Sequence, residues 1–394
     1  MQPLFAIVLA SVTLIGPLSI HLFLPVLPDV RGAFAITDAL AQTTFSVTQF
    51  TMAFMTLVYG ALSDRFGRRP ILLIGIGLFF LGSVLTASAE SVVVLIAGRI
   101  LQGIGAASGV TLARAIARDV FGPDQLVRAI GYLTMAYTLG PTIAPPMAGL
   151  LSDTLGWRSV FWFAATAGGL IALATFIVLP ETHGAAHRTG GSPYRLLGDV
   201  RKLFGNLRFA AFALQSGFSS GAFFAMAAGS AFLMKDYLGR SGTEFGLYFL
   251  FFSAGYWLGN LLSTRLSGRV TIETMVAGGS IMLVGIAALL AGLMLADIVT
   301  PLAIFVPGFL LTLAQGMTLP NAQAGAINAV PGLTGTAAGI GMSMQFMGAA
   351  IFSLLYGLVA DGTPIPMVAT VAISALLSLT AGIVPFLLAR RPAG

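Results

Sequence analysis

An all-α membrane protein of twelve spanning helices, set as two pseudo-symmetric bundles of six, is the fold class this sequence predicts. Three observations carry it. Only 9% of the 394 residues are charged and 57% are apolar, whereas a soluble chain carries about 25% charged residues. Apolar runs of about 20 residues, the length that crosses a bilayer, fill most of the chain. Weak echoes recur between its halves, on either side of one long polar stretch. The chain has no cysteine, so disulfide and thiol chemistry are excluded. Its net charge of +6 is scattered through short loops, which argues against a nucleic-acid partner.

The spans are expected at 4–28, 41–62, 70–89, 92–113, 127–150, 158–179, 209–233, 243–264, 273–296, 301–321, 334–359 and 365–388. Span 1 follows Met1 without a basic stretch and runs too far for a cleaved signal sequence. Pro25 and Pro28 near its end free backbone groups, which a membrane tolerates only beside a cavity or other protein. His21 lies about eight residues below that surface, roughly 12 Å, and Arg99 of span 4 sits at a similar depth. Ionisable groups at such depth face the bundle interior and are functional candidates.

Between spans 2 and 3, Gly67 and Pro70 supply a tight turn that bears Asp64, Arg65, Arg68 and Arg69. Span 4 carries Arg99, Gln102-Gly103 and Gly105-Ala106-Ala107, then Arg114 and Arg118-Asp119 at its end. Span 5 contains Gly131, Gly140-Pro141, Ala144-Pro145-Pro146 and Gly149. Small residues there let helices approach closely, and the prolines allow bending.

Residues 181–208 form the polar stretch and divide the chain into an N-terminal bundle (1–180), a linker and a C-terminal bundle (209–394). Tyr194 to Leu203 reads as a helix lying on the membrane surface. His183 and His187 are four apart, but no third ligand accompanies them, so a solvated loop and no metal site is expected. In the second half, residues 259–269 echo the opening turn at an offset of 200 without its Asp. Ala314-Gln315-Gly316 echoes Leu101-Gln102-Gly103, and Gly357 to Asp361 echoes Gly149 to Asp153. Of the twenty Lys and Arg, fifteen fall on the Asp64 side and four on the other. That bias predicts a multi-pass protein of the inner (plasma) membrane with both termini cytoplasmic.

The run Gly60-Ala-Leu-Ser-Asp64-Arg65-Phe-Gly67-Arg68-Arg69 resembles the signature loop of the major facilitator superfamily. Arg99 to Ala107 resembles that family's fourth-helix signature. Span 5 is similar to the Gly/Pro motif of its proton-driven antiporters, in the form found in Bcr/CflA-type bacterial drug exporters. The resemblance implies a cytoplasmic latch of Asp64, Arg65, Gly67, Arg68, Arg114 and Arg118, with Asp64 docked on the start of span 11. It also implies proton-linked export of amphipathic or lipophilic organic compounds by a monomer in the lipid bilayer, with the proton gradient in place of any cofactor. Those relatives read D-M-Y-L-P where this chain has His21-Leu22-Phe23-Leu24-Pro25, so a histidine stands in place of their acid. Coupling is therefore assigned to His21, Asp29 and Arg99. Either His21 cycles the proton, or it is a neutral binding group and Asp29 or another site carries the coupling.

Substrate candidates are the interior aromatic, Met and amide side chains His21, Phe45, Gln49, Tyr137, Gln215, Phe224, Met226, Tyr248, Phe252, Gln315, Met344 and Gln345, since apolar pockets with sparse polar groups suit such compounds. Catalysis is not expected. Gly217-Phe-Ser219-Ser-Gly221 matches a nucleophile-elbow pattern but lies inside a helix. No Walker A sequence exists, and Lys202 and Lys235 are the only lysines, so ATP is not the driver. Export of one metabolite, such as a metal chelator or amino-acid derivative, and a non-transporting membrane sensor are the alternatives.

Overall fold

The computed structural model describes residues 3–184 and 193–390. Its helices are α1 (Pro3–His21), α2 (Leu27–Phe34), α3 (Asp38–Phe66), α4 (Arg68–Ala87), α5 (Val92–Val120), α6 (Pro123–Leu155), α7 (Arg158–Val178), α8 (Pro193–Gly205), α9 (Leu207–Phe232), α10 (Gly242–Leu266), α11 (Ile272–Leu295), α12 (Pro301–Ala329), α13 (Thr334–Val359) and α14 (Ile365–Ala389). A π-turn, Leu233–Tyr237, extends α9. Among the described residues eleven helices are long and apolar enough to cross a membrane. The 33-residue α6 is the remaining long helix and packs between α1 and α10.

Helix starts follow local chemistry. Thr37, Ser91, Asn206, Ser241, Thr271 and Thr300 each accept a hydrogen bond from a backbone N–H in the first turn of the next helix, satisfying donors that otherwise have no partner. Ser241 and Glu244 complete a capping box.

Several helices outrun the expected spans, α5 to Val120 and α12 to Ala329 by the most at one end, and two other departures have a local cause. Span 1 is not continuous: α1 ends at His21, residues 22–26 form turns, and α2 follows. Pro25 and Pro28 lack the N–H a continuous helix needs, and each disfavours helical geometry in the residue before it. The chain crosses the break through short bonds from Phe23 N to the Ile20 carbonyl and from Val26 N to the Phe23 carbonyl. Span 7 runs past its expected end into the π-turn, where Leu238 N bonds the Leu233 carbonyl. That wider turn re-aims Lys235 and Asp236.

Helices α1 to α7 pack chiefly on one another, as do α9 to α14, and two long seams join the groups: α3 against α13 and α6 against α10. Small residues make both seams close. A Cβ placed on Gly149 would lie 2.1 Å from the Gly242 carbonyl oxygen, and one on Gly246 2.5 Å from that of Pro145. On the other seam, a Cβ on Gly357 would lie 2.4 Å from Gln42.

Candidate functional site

The face carrying the α3–α4 turn is the terminal face, because the helix order also brings the start of α1 and the end of α14 to it; the other is the far face. Gly67 joins α3 to α4 at φ 101°, a backbone state that a side chain strains. In the second half, Gly268, one residue beyond the position that an offset of 200 gives, has φ 79°, so the echo survives as a turn conformation. The buried Arg68 side chain binds Asp64 at 2.5 Å, Asp119 at 2.9 Å and Ser63 Oγ at 2.6 Å. Glu181 accepts from the Arg68 and Arg69 backbone N–H groups, placing a carboxylate on the free N-terminus of α4. The turn is thereby tied to the ends of α5 and α7. Arg65 lies over Phe66, and Arg118 is exposed.

Two expected latch contacts are not formed in this structure. The Asp64 carboxylate pairs with Arg68 four residues on, and the start of α13 is not among its partners. Arg114 is apart from Asp64, in electrostatic range of Tyr137 and Tyr256. The physical reason is proximity: Arg68 stands just across the Gly67 corner from Asp64 and reaches back onto it.

Deeper in, Arg99 is fully buried. It donates to the Ser19 carbonyl at 3.0 Å, the Thr44 carbonyl at 3.2 Å and Gln102 Oε1 at 2.7 Å, and lies 4.3 Å from the Phe23 ring centroid. It fastens α1 and α3 to α5, and no carboxylate is among its partners. Gln102 in turn donates to Ser83 of α4, and Gly103 and Gly105 admit the α3 and α4 backbones beside it.

His21 and Arg99 share a level but not a contact. The His21 ring points across to the second group of helices, at 5.9 Å from both Phe224 and Phe249 and 6.5 Å from Phe223. Phe45 joins from α3, 6.2 Å from Phe224, and Phe252 and Phe305 continue the cluster. Tyr248 stacks on Phe305 at 5.4 Å. The result is an aromatic plug spanning both groups. Several buried polar atoms of α1, α3 and α13 have no hydrogen-bond partner among the described residues: His21 Nδ1, both amide atoms of Gln42 and of Gln49, and Gln345 Nε2.

Other substrate candidates lie elsewhere. Gln215 donates to Ser280 and Ser378, and Gln315 donates to the Ser219 carbonyl; both tie helices within the second group. Met226 is buried, and Met344 packs in a separate apolar cluster with Phe212 and Ala337. Phe223 and Phe249, missed from sequence, touch His21. Aromatic residues abound on every helix, and only tertiary packing separates these from the rest.

Asp29 is no embedded acid. It pairs with Lys235 at 3.2 Å and accepts from Ser152 at 2.9 Å on the far face. Beside it, Arg31 bridges Asp38 (2.7 Å) and Asp236 (2.9 Å) and covers the Phe232 ring. Burial weakens the charge on Arg31, but the two carboxylates outweigh it and raise its pKa. Asp153, at the end of α6, accepts from Gly242 N (3.1 Å), Thr243 N (2.7 Å) and Thr243 Oγ1 (2.6 Å). Burial alone would raise the Asp153 pKa; those donors win and hold it below the usual carboxylate range. Asp361, its echo, bonds only its own loop at Thr363, because the facing α3 starts with Asp38. Together these contacts close the far face across both groups, and Ser46–Ser353 (2.9 Å) and Ser343 to the Ala53 carbonyl (2.7 Å) continue the closure inward.

In the helix-5 motif, Gly140 packs on Pro17, and Pro141, Pro145 and Gly149 line the α6–α10 seam, whereas Gly131 has open space around it. His187 and Arg188 lie outside the described residues, and among the described residues no cluster of three metal-ligating side chains occurs.

The family model described as Major Facilitator Superfamily matches residues 9–229. The chain is 28% identical to Multidrug resistance protein D of Escherichia coli, across 89% of this chain and 87% of that protein. It is 27% identical to a Bicyclomycin resistance protein homolog of Haemophilus influenzae, across 96% and 95%. Among solved structures, a bacterial homolog of the human lysosomal transporter Spinster, titled inward-facing and unoccupied, superposes with a TM-score of 0.78 at 19% identity over the whole of both chains. A D-xylose–proton symporter superposes with a TM-score of 0.74 at 15% identity over 98% of this chain and 97% of that one.

Proposed function

This chain belongs to the major facilitator superfamily, and on that premise we propose that it exports small amphipathic or lipophilic organic compounds in exchange for protons. The relatives named for multidrug and bicyclomycin resistance support the substrate class. The halves 1–180 and 209–394 rock about the aromatic plug, and the terminal face is the cytoplasmic one, as the positive-inside bias implies.

One observation carries the mechanism: among the described residues, every ionic contact between the two helix groups lies on the far face. Asp29–Lys235, Arg31–Asp236 and Asp153 on the α10 N-terminus cross the groups there. On the terminal face Asp64, Arg68, Asp119 and Glu181 bond within the first group. The arrangement therefore belongs to the state that receives substrate from the cytoplasm. In the opposite state the far-face pairs part, and Asp64 exchanges Arg68 for the uncharged start of α13, where a carboxylate meets unpaired backbone N–H groups.

His21 is the coupling group of this reading. Among Phe223, Phe224 and Phe249 a charged imidazolium would lose its hydration without gaining a carboxylate. Protonation and closure of the plug thus exclude one another, and a proton taken when the plug opens outward biases the return. Arg99 holds the α1 end that presents His21, while Asp29 serves the far-face closure.

The test is resistance and efflux in an expression strain across pH 5.5 to 8. Wild type should protect against a subset of amphipathic drugs with a pH dependence that His21→Gln abolishes and Asp29→Asn keeps. Protection that His21→Gln leaves unaltered at every pH would remove His21 from coupling.

A further inference from the structure

Arg114 has chemistry that neither the latch nor the plug uses. It lies in α5 about six residues from its terminal-face end, roughly 9 Å along the axis, yet no hydrogen bond or ion pair engages its guanidinium among the described residues. An intramembrane cation without a counter-charge is costly unless something else supplies the charge.

Its neighbours are two phenols from different halves. Tyr137 continues the buried stripe of α6 formed by Leu133, Gly140, Ala144 and Ala148, and Tyr256 that of α10 formed by Phe249, Phe252, Ser253 and Gly259. Both tyrosines therefore face inward, and both keep part of their surface in solvent, as Arg114 does. Ser253 Oγ donates to the Pro141 carbonyl at 3.1 Å. From that contact each tyrosine is one helical turn toward the terminal face, so the pair stands where α6 and α10 part. Arg114 is in electrostatic range of both, and no carboxylate among the described residues acts on it.

We propose that Arg114, Tyr137 and Tyr256 form a binding site for the acidic group of an amphipathic substrate, a carboxylate or sulfonate entering from the terminal face. A guanidinium offers a planar fork of donors that matches such a group, and two phenolic O–H donors complete a neutral-plus-cation cradle. Any aromatic or aliphatic body on the acid would then reach toward Phe252 and the plug. The substrate class is thereby narrowed from amphipathic compounds at large to weak organic acids, an inference that rests on the transport reading.

The experiment measures fluorescence binding to the full chain in lipid nanodiscs, with empty discs as control. Three probes share one fluorophore: dansylglycine (anion), its methyl ester (neutral) and dansylcadaverine (cation). Dansylglycine should bind more tightly than the other two. Arg114→Gln should weaken it by roughly tenfold or more, the size expected for a charge-assisted contact, with Arg114→Lys intermediate. Tyr137→Phe and Tyr256→Phe should each weaken it by about threefold or more. Arg114→Gln should leave the ester within about twofold of wild type, and an unchanged size-exclusion elution in detergent shows that each variant is folded. Equal wild-type affinity for acid and ester, or dansylglycine binding indifferent to Arg114→Gln, overturns the site. Binding is read without a gradient, so these results are independent of whether the protein exports: drug resistance with no acid selectivity sinks the anion site alone, whereas acid selectivity without any efflux sinks the transport reading.

Discussion

Replacing Gly149 by alanine should open the far face. The added Cβ would lie 2.1 Å from the Gly242 carbonyl oxygen, 2.4 Å from its carbonyl carbon and 2.7 Å from Thr243 N. All three are backbone atoms, so no side chain can swing away. Ordinary contact needs about 3.4 Å or more, and the seam must widen by roughly 1 Å. Overpacking of this kind costs about 1 to 3 kcal/mol, which shifts a two-state equilibrium by about 5- to 150-fold. The penalty falls only on the state in which α6 and α10 touch, since Asp153 and the Gly242 turn part together. Because the chain has no native cysteine, spin labels at Leu155→Cys and Tyr237→Cys, exposed positions on the two sides of the far face, report the separation by pulsed electron resonance. Gly149→Ala should move population to longer distances, and Gly131→Ala, with open space around it, should not. An unchanged distance distribution in folded Gly149→Ala protein would refute the reasoning.

Other outcomes follow from the same geometry. Asp153, held below the usual carboxylate range, contributes to far-face closure above its ordinary pKa and loses that contribution only as pH falls through the depressed value. The labelled pair should therefore show no Asp153-dependent change between pH 5.5 and 8, while Asp153→Asn opens the face at every pH in that window. Gly67→Ala should cost about 1 to 3 kcal/mol, because φ 101° with ψ 155° is a backbone region essentially confined to glycine, read as a lowered melting temperature in detergent. Arg99→Lys, which keeps the charge but gives up the fork to Ser19, Thr44 and Gln102, should leave the protein inserted and reduce efflux at least about tenfold.

Much of the fold was legible in the sequence because membrane spans announce themselves by length and apolarity, and Gly67 and Pro70 mark the turn between two of them. The signature turn was legible as a turn, but its partners were not. Glu181 reaches the α4 N-terminus from 113 residues away, and no local pattern encodes that meeting. Asp153 is similar: its match with Asp361 is visible as a repeat, yet only one of the two caps a helix. Which one does so depends on the residue that starts the facing helix, Gly242 or Asp38. Asp29 read as lying just past the end of its span, and it does stand at the far face, but its partners Lys235 and Ser152 come from distant parts of the chain and could not be read from the sequence. His21 stood out as an ionisable group among apolar residues. Phe223 and Phe249 did not, since a phenylalanine that fills a bundle and one that plugs a seam look alike in sequence.

Proton-driven alternating access is tested most directly in inverted membrane vesicles energised to an acid interior. A compound chosen from the resistance panel is added, and the internal pH is followed with a quenched acridine dye. The account predicts release of protons from the lumen on addition of the compound, together with its accumulation inside, and loss of that proton release in His21→Gln. Accumulation that proceeds at the same rate after the pH gradient has been collapsed would contradict it.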